Sequence, residues 1–414
     1  MKKIQPVRGT HDLFGDSYNK KFFIEKEASN LIDLYGYNEI ETPILEYLDV
    51  FTNSLGVASD IVSKEMFTLT TSKGNQIALR PEGTAGVARA FVSNGLAQFL
   101  PLKLFYKGPM FRRERPQKGR LRQFHQIGIE YLGDNSFFAD IEVISIANKF
   151  LHKLGLSEKF KLEINSLGDL ESRESYTHDL KRFLKEKKKD LSYDSLMRLD
   201  KNPLRILDSK DKNDIKILSD APVFSDYLNS PSKEFYTNLK LGLDDLGIEY
   251  IENPKLVRGL DYYCHTAFEF ISNQIGSQGT ILAGGRYDGL IQRMGGNSTS
   301  GVGWAAGIER LSLLIKTRIL QNKTISIIFT SNKLLPKAFS LAEQLRSLDI
   351  KTDIIFSGNI KKQLKRANKV KSFAAIIVGE DELINNNIIL KDLSDSSQKE
   401  IKIDNLIEEV KKIL

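Results

Sequence analysis

Residues 112–122 gather six basic side chains, Arg112, Arg113, Arg115, Lys118, Arg120 and Arg122, against one acid, Glu114. Five of the six are arginine, whose planar guanidinium matches phosphate oxygens two at a time. The Pro-Gln-Lys-Gly tip at 116–119 lies between two strand-like arms and reads as a hairpin loop, with Phe111 and Phe124 on the arms. An aromatic face beside arginines is what a stacked base carrying phosphates requires. A solvated hairpin is the competing reading.

Four further windows hold polar groups where apolar ones would serve a core. In LRPEGTAGVARA (79–90), Arg80 and Glu82 flank a proline, and Gly83 and Thr84 open a helix. Glu82 is suited to cap that helix and pair with Arg80, or to receive an ammonium ligand together with Thr84; the residues leave both open. In LVRGLDYYCHTAFEF (256–270), Arg258, Tyr262 and Tyr263 are polar tips among strand formers. A buried arginine is expensive unless paired, so Arg258 calls for Asp261 or an anionic ligand. AGGRYDGL (283–290) is a Gly-rich turn presenting Arg286, Tyr287 and Asp288. GVGWAAGIERL (301–311) lacks the βαβ context of a dinucleotide site, and no G-x-x-x-x-G-K-[ST] loop occurs in the chain. Its glycines fit close packing of a strand and a helix, with Arg310 projecting from the helix start.

These windows need a scaffold. Apolar residues at helical spacing predict a helix over 16–35, and another over 84–95. Strand-like runs fall at 38–51, 66–71, 76–80, 103–112 and 122–132, with Pro43 suited to an edge, a bulge or an interface. Strands with few helices between them predict an α+β core on an antiparallel sheet. Residues about 168–253 are polar and mostly helical, with the charge run KRFLKEKKK at 181–189, and read as an insertion. Strand patterning returns at 256–272 and 279–283, and a helix begins near Ala306. From 323 onward, strands at 325–329, 352–356 and 373–378 alternate with helices at 334–348 and 359–371. Two short strands (387–391 and 398–402) and a terminal helix follow. This predicts a small α/β domain on a mixed sheet. Its segment 360–371 carries six basic residues and no acid.

The 414 residues carry 60 Lys+Arg against 53 Asp+Glu, a net charge of +7 that permits a polyanionic partner without demanding one. One cysteine, Cys264, leaves no intramolecular disulfide and no multi-cysteine zinc site, and five histidines lack ligand spacing. No resident metal is expected. No apolar run approaches the ~20 residues of a membrane span, and the basic N-terminus has no apolar signal core.

Taken together, the windows resemble histidyl-tRNA synthetases, enzymes of the class II aminoacyl-tRNA synthetase group. The Pro43 helix-strand, the FRRE hairpin from 111 and GIER at 307–310 resemble the three class motifs. LVRGLDYY (256–263) and AGGRYDG (283–289) resemble the two histidine-specific ones. NPLRILDSK (202–210) resembles the bacterial insertion. The resemblance implies a catalytic domain over 1–322 with the insertion, an anticodon-binding domain over 323–414, and ligation of L-histidine to tRNA(His) through a histidyl-adenylate. ATP would use Arg112, Glu114, Arg120, Phe124 and Arg310, accompanied by Mg²⁺. Histidine would meet Glu82, Thr84, Arg112, Gln126, Glu130, Arg258, Tyr262, Tyr263 and Tyr287. Arg112 and Arg258 would be the catalytic cations. Arg115, Gln117 and Lys118 on the hairpin tip, and Lys361, Lys362, Lys365 and Arg366, would meet tRNA. A cytoplasmic homodimer joined through the Pro43 segment is also implied. The competing expectation is a non-catalytic synthetase-like regulatory subunit of histidine biosynthesis; a class II synthetase for another amino acid is a third.

Overall fold

The computed structural model describes residues 3–56, 59, 61–257, 262–276, 279–316 and 324–413. The chain divides into two compact units, Met1–Lys316 and Thr317–Leu414.

In the first unit the described strands are β1 (Asn38–Glu39), β2 (Leu45–Tyr47), β3 (Phe67–Thr70), β4 (Gln76–Leu79), β5 (Leu102–Phe111), β6 (Gln123–Leu132), β7 (Lys161–Ser166), β8 (Ile251–Glu252), β9 (Cys264–Ile271), β10 (Thr280–Arg286) and β11 (Gly301–Gly307). Eight of them form one sheet in the order β1-β5-β6-β11-β10-β9-β7-β8. Its inner pairs are antiparallel; only the edge pairs β1·β5 and β7·β8 are parallel. β2, β4 and β3 form a small separate antiparallel sheet. The α+β expectation matches this sheet.

Alternation along β5 and β6 sends successive side chains to opposite faces. Phe105, Ile127 and Ile129 enter a core with Ile24, Ala28 and Leu31 of helix α1 (Asp16–Asp33). Tyr106 enters the opposite core, beneath α2 (Leu48–Leu55) and α3 (Thr84–Ser93). On β6 the alternation places Gln126, Gly128 and Glu130 on the face of Tyr106, and there the site is built.

Several elements depart from the sequence expectation. Segment 38–51 is not one strand: β1 ends at Glu39 and α2 starts at Leu48. Residues 283–286 lie within β10 rather than in a turn. α4 (Phe137–Lys153) and β7 were not anticipated. α4 is β-branched-rich and buries residues on several sides, Val143, Ile144, Ala147 and Phe150 among them, so it lacks a clean polar face. The insertion holds α5 (Leu170–Glu186), α6 (Tyr193–Leu199) and α7 (Lys212–Ile217), each opened by a side chain that accepts from the first-turn N–H groups: Asp169, Ser192 and Asp211. Its last helix, α8 (Ser230–Asp245), returns Leu239 and Leu243 to the main core alongside α4. After β10 come the short α9 (Leu290–Arg293) and, directly from β11, α10 (Ile308–Leu314).

The second unit has strands β12 (Ile325–Phe329), β13 (Thr352–Ile354), β14 (Ala374–Val378), β15 (Asn387–Asp392) and β16 (Gln398–Lys402) in the order β13-β12-β14-β15-β16. The first three are parallel and the last two antiparallel, the mixed sheet anticipated above. α11 (Leu335–Arg346) buries Ala338, Leu341, Ala342 and Leu345 on one face of the sheet. α12 (Ile360–Lys369) covers the other face with Ala367, capped by Asn359. A short α13 (Glu380–Ile384) and the terminal α14 (Leu406–Ile413) complete it.

Candidate active site

A pocket opens on the Tyr106 face of the large sheet, between the β5–β6 hairpin, the start of α3 and the ends of β10 and β11. One end is cationic. Arg112, Arg120 and Arg310 all line it, with Glu114 among them. Glu114 lies 2.9 Å from Arg120 and 3.8 Å from Arg112. Arg112 donates through Nε to Pro81 O at 2.9 Å, and its guanidinium sits 5.3 Å from the centre of the Phe124 ring. Arg310 leaves the first turn of α10 and donates to Thr280 O at 2.6 Å and Gly119 O at 3.3 Å. Burial, then the nearby Arg120 and Arg112, hold the Arg310 pKa below its usual value. A cluster of like charges in partial burial is an anion site that a phosphate chain would neutralise. Glu309 also lines the pocket, and it ties α10 to β6. It accepts the His125 backbone N–H at 2.9 and 3.0 Å and lies 2.9 Å from His125 Nδ1.

The other end is acidic and deeply buried. Glu82 accepts the N–H groups of Thr84 at 2.8 Å and Ala85 at 2.7 Å, and so caps α3. Arg80 does not pair with it; that guanidinium goes to Thr42 O at 2.7 Å and Pro109 O at 2.9 Å. Glu130 receives the Thr84 hydroxyl at 2.6 Å and the Tyr287 hydroxyl. Desolvation raises its pKa to about 8, against the pull of those two hydrogen bonds and with some help from Glu82. Burial raises Glu82 as well. Glycines on β11 make the room: a Cβ at Gly303 would lie 2.0 Å from Glu130 Oε2, and one at Gly301 would lie 2.4 Å from the Tyr287 ring. The GVG spacing is therefore a packing requirement of this carboxylate and this phenol.

Tyr262, Tyr263 and Tyr287 form an aromatic group over the acids, with ring centres 4.6 to 6.5 Å apart. Around the pocket, Arg120 Nε and Gln126 Oε1 are buried without a hydrogen-bond partner. Buried polar groups are nearly always paired, so this concentration of unmet capacity marks a place that a polar ligand completes.

Of the residues singled out from sequence, Glu82, Thr84, Arg112, Glu114, Arg120, Phe124, Gln126, Tyr262, Tyr263 and Arg310 line one pocket. Glu130 and Tyr287 stand behind it, joined to it through Thr84 and the other tyrosines. Arg258 lies outside the described residues. Arg115, Gln117 and Lys118 are exposed at the hairpin tip, where Gln117 and Arg120 exchange backbone hydrogen bonds of 3.1 and 2.9 Å. Lys361, Lys362, Lys365 and Arg366 are exposed on α12 of the second unit. Arg286 is wholly buried and held by Asp140, Asp288 and the carbonyls of Asp134 and Ser136, a structural role. Sequence reasoning passed over Glu309, Thr280 and Tyr106. Glu309 stood beside Arg310 in the GIER window; Tyr106 gave no signal beyond a tyrosine in a strand. A second cleft of about 1000 Å³ shares Arg120, Thr280 and Arg310 with the pocket and runs under the insertion along Tyr193, Arg198 and Lys210.

The chain matches known proteins over nearly all its length. A family described as histidyl-tRNA synthetase matches residues 9–311, and an anticodon binding domain family matches 324–413. The histidine–tRNA ligase of Rhodospirillum rubrum is 49% identical over 402 residues, 97% of each chain. That of Gluconobacter oxydans is 46% identical over 406 residues, 98% of each chain. Among solved structures, the apo histidyl-tRNA synthetase of S. aureus is similar with a TM-score of 0.81 at 35% identity, over 99% of this chain and 100% of that one.

Proposed function

The chain belongs to the histidyl-tRNA synthetase family, and from that premise we propose that it joins L-histidine to tRNA(His) at the expense of ATP, through a histidyl-adenylate made in this pocket. The observation that carries the reading is the polarity of one cavity: three arginines at one end and, at the other, the buried Glu82 carboxylate with Glu130 behind it on the hydroxyls of Thr84 and Tyr287.

The acidic end takes the amino acid. Glu82, already oriented by two backbone N–H groups, accepts the α-ammonium beside the Thr84 hydroxyl. Glu130 accepts one imidazole N–H, and Tyr263 reaches the other ring nitrogen, with Tyr262 and Tyr287 closing the sides. The histidine carboxylate then lies toward Gln126 and Arg112, on the way to the cationic end. There the adenine stacks on Phe124 with Arg310 on its other face, the α-phosphate meets Arg112, and the far phosphates meet Arg120 and Arg310. Arg258 is assigned the opposite side of the α-phosphate on the strength of its motif. In-line attack of the carboxylate on the α-phosphate forms the mixed anhydride and releases pyrophosphate. Charge grows on the phosphoryl oxygens, so fixed guanidiniums supply most of the acceleration. Glu114 and Glu309, the carboxylates of that end, are hard oxygen donors of the kind that would hold a Mg²⁺ ion accompanying ATP, whose charge would offset that of the phosphates. The tRNA terminal ribose hydroxyl then takes the histidyl group. The hairpin tip receives the acceptor end and α12 the anticodon side.

A homodimer built on the Pro43 segment and a cytoplasmic setting belong to the same reading. Exposed Ile44, Leu45 and Tyr47 support the first. No helix among the described residues is long and apolar enough to cross a membrane. The reading is tested by calorimetry with an amino-acid panel. Histidine should bind, and phenylalanine and glutamine should bind at least ~10⁴-fold more weakly, because they leave Glu130 or its partner unpaired. Equal binding of the three would overturn it.

A further inference from the structure

The tyrosines over the acidic end stand where β9 is irregular. Gly285 of β10 pairs with Ala267 of β9, and the next residue, Arg286, pairs with Cys264, so β9 bulges between them. His265 lies in that bulge with φ 42°, a left-handed conformation that residues other than glycine adopt at a cost. The bulge is gripped from the entrance to the insertion. His265 N–H donates to Gly168 O at 2.7 Å, and Leu167 N–H donates to His265 O at 2.6 Å. Tyr263, just before the bulge, lies against Gly285, where a Cβ would come within 2.8 Å of its ring.

The insertion also reaches Tyr263 directly. Arg173, in the first turn of α5, donates through Nη1 to the Tyr263 carbonyl at 3.0 Å. The base of that arginine is braced. Asp169 caps α5 by accepting the Ser172 N–H at 2.9 Å, and it also accepts the Asn229 side-chain amide at 2.7 Å. Asn229, the cap of α8, donates its backbone N–H to Ser172 Oγ at 3.1 Å, and Ser232 Oγ accepts the Asp169 N–H at 3.2 Å. The first and last helices of the insertion are therefore tied at one point, and that point carries Arg173.

We infer that Arg173 is a positioning residue for histidine. A guanidinium bond to a carbonyl is charge-assisted, about twice as strong as a neutral one. It fixes the Tyr263 peptide at an irregular stretch of strand, and with it the phenol that reaches the imidazole. A shift of ~1 Å in such a contact is enough to spoil it. The insertion is thereby a working part of the amino-acid site. This rests on the histidine reading of the pocket.

The test is calorimetry of histidine and of ATP on full-length Arg173→Met, Tyr263→Phe and the double variant. Arg173→Met should lower histidine affinity about tenfold and leave ATP affinity within about twofold. Because Arg173 acts through Tyr263, the double variant should lose little more than the weaker of the two single variants. Arg173→Lys keeps the charge without the planar fork and should recover part of the loss; it takes the place of Arg173→Met in the cycle if that protein does not fold. Histidine affinity within about twofold of the parent overturns the inference, and so does an equal loss for both ligands. A double variant whose loss is the product of the single losses also overturns it, because the two residues then act independently. A parent protein that binds no histidine defeats the functional reading itself, a result distinct from these.

Discussion

Replacing Glu130 by glutamine separates what this acid does for binding from what it does to stability. In the folded chain its pKa is about 8, against an ordinary value of 4.5. Between those values the folded protein holds a proton that the unfolded chain has lost. Its contribution is therefore complete below the unfolded pKa and declines as pH rises through the folded one. The slope is about 1.4 kcal/mol per pH unit, so the parent loses about 2–3 kcal/mol between pH 6 and pH 8 from this group. Glu130→Gln has no proton to lose and lacks that decline. Urea unfolding followed by the fluorescence of Trp304, the chain's one tryptophan and part of the core of the first unit, reads the difference. The variant should gain on the parent by about 2–3 kcal/mol across the interval, while its histidine affinity falls at least about tenfold. Parallel stability curves for the two proteins would refute the account of Glu130 as a desolvated, protonated acid.

Other expectations are equally specific. Gly303→Ala drives a methyl into Glu130 and the Ile129 carbonyl, 2.0 and 2.3 Å away; it should destabilise by about 1–3 kcal/mol and abolish measurable histidine binding in the same titration. Arg286→Met leaves Asp140 buried without its partner and should cost about 3–5 kcal/mol in urea unfolding, much of it recovered by adding Asp140→Leu. Reversing Lys361, Lys365 and Arg366 to glutamate should weaken tRNA charging and flatten its salt dependence by about one unit of log-log slope per lost phosphate contact, with histidine and ATP affinities unchanged; an unchanged slope removes α12 from the RNA interface.

The cationic half of the site was legible because charge density is a linear property. Five arginines in eleven residues, with Phe124 beside them, point to an anion with an aromatic partner or to a solvated hairpin, and the structure brings Arg112, Arg120 and Phe124 to the pocket. The sheet was legible because strand-like runs at 103–112 and 122–132, with few helices between such runs, match β5 and β6. The acidic half was less so. Glu82 read equally as a cap or a ligand contact, and the structure shows it capping α3 while lining the pocket. Glu130 came from resemblance; nothing local distinguishes it from other strand acids. Its importance comes from Thr84 and Tyr287, which are 46 and 157 positions away. Arg286 illustrates the opposite error: a Gly-rich window suggested a presented side chain, but the glycines lie in β10 and the guanidinium is sealed against α4. α4 itself was hidden because burial on several sides erases the amphipathic period that identifies a helix.

The central claim is that one cavity activates histidine with ATP, and histidine-dependent exchange of labelled pyrophosphate into ATP tests it most directly. Full-length protein should catalyse exchange with histidine and with no other amino acid, and Arg112→Ala should reduce the rate by about two orders of magnitude, as loss of a cation on a developing phosphoryl charge does. Absence of exchange with every amino acid, from protein that binds histidine, would contradict the claim and leave a histidine-binding regulatory protein in its place.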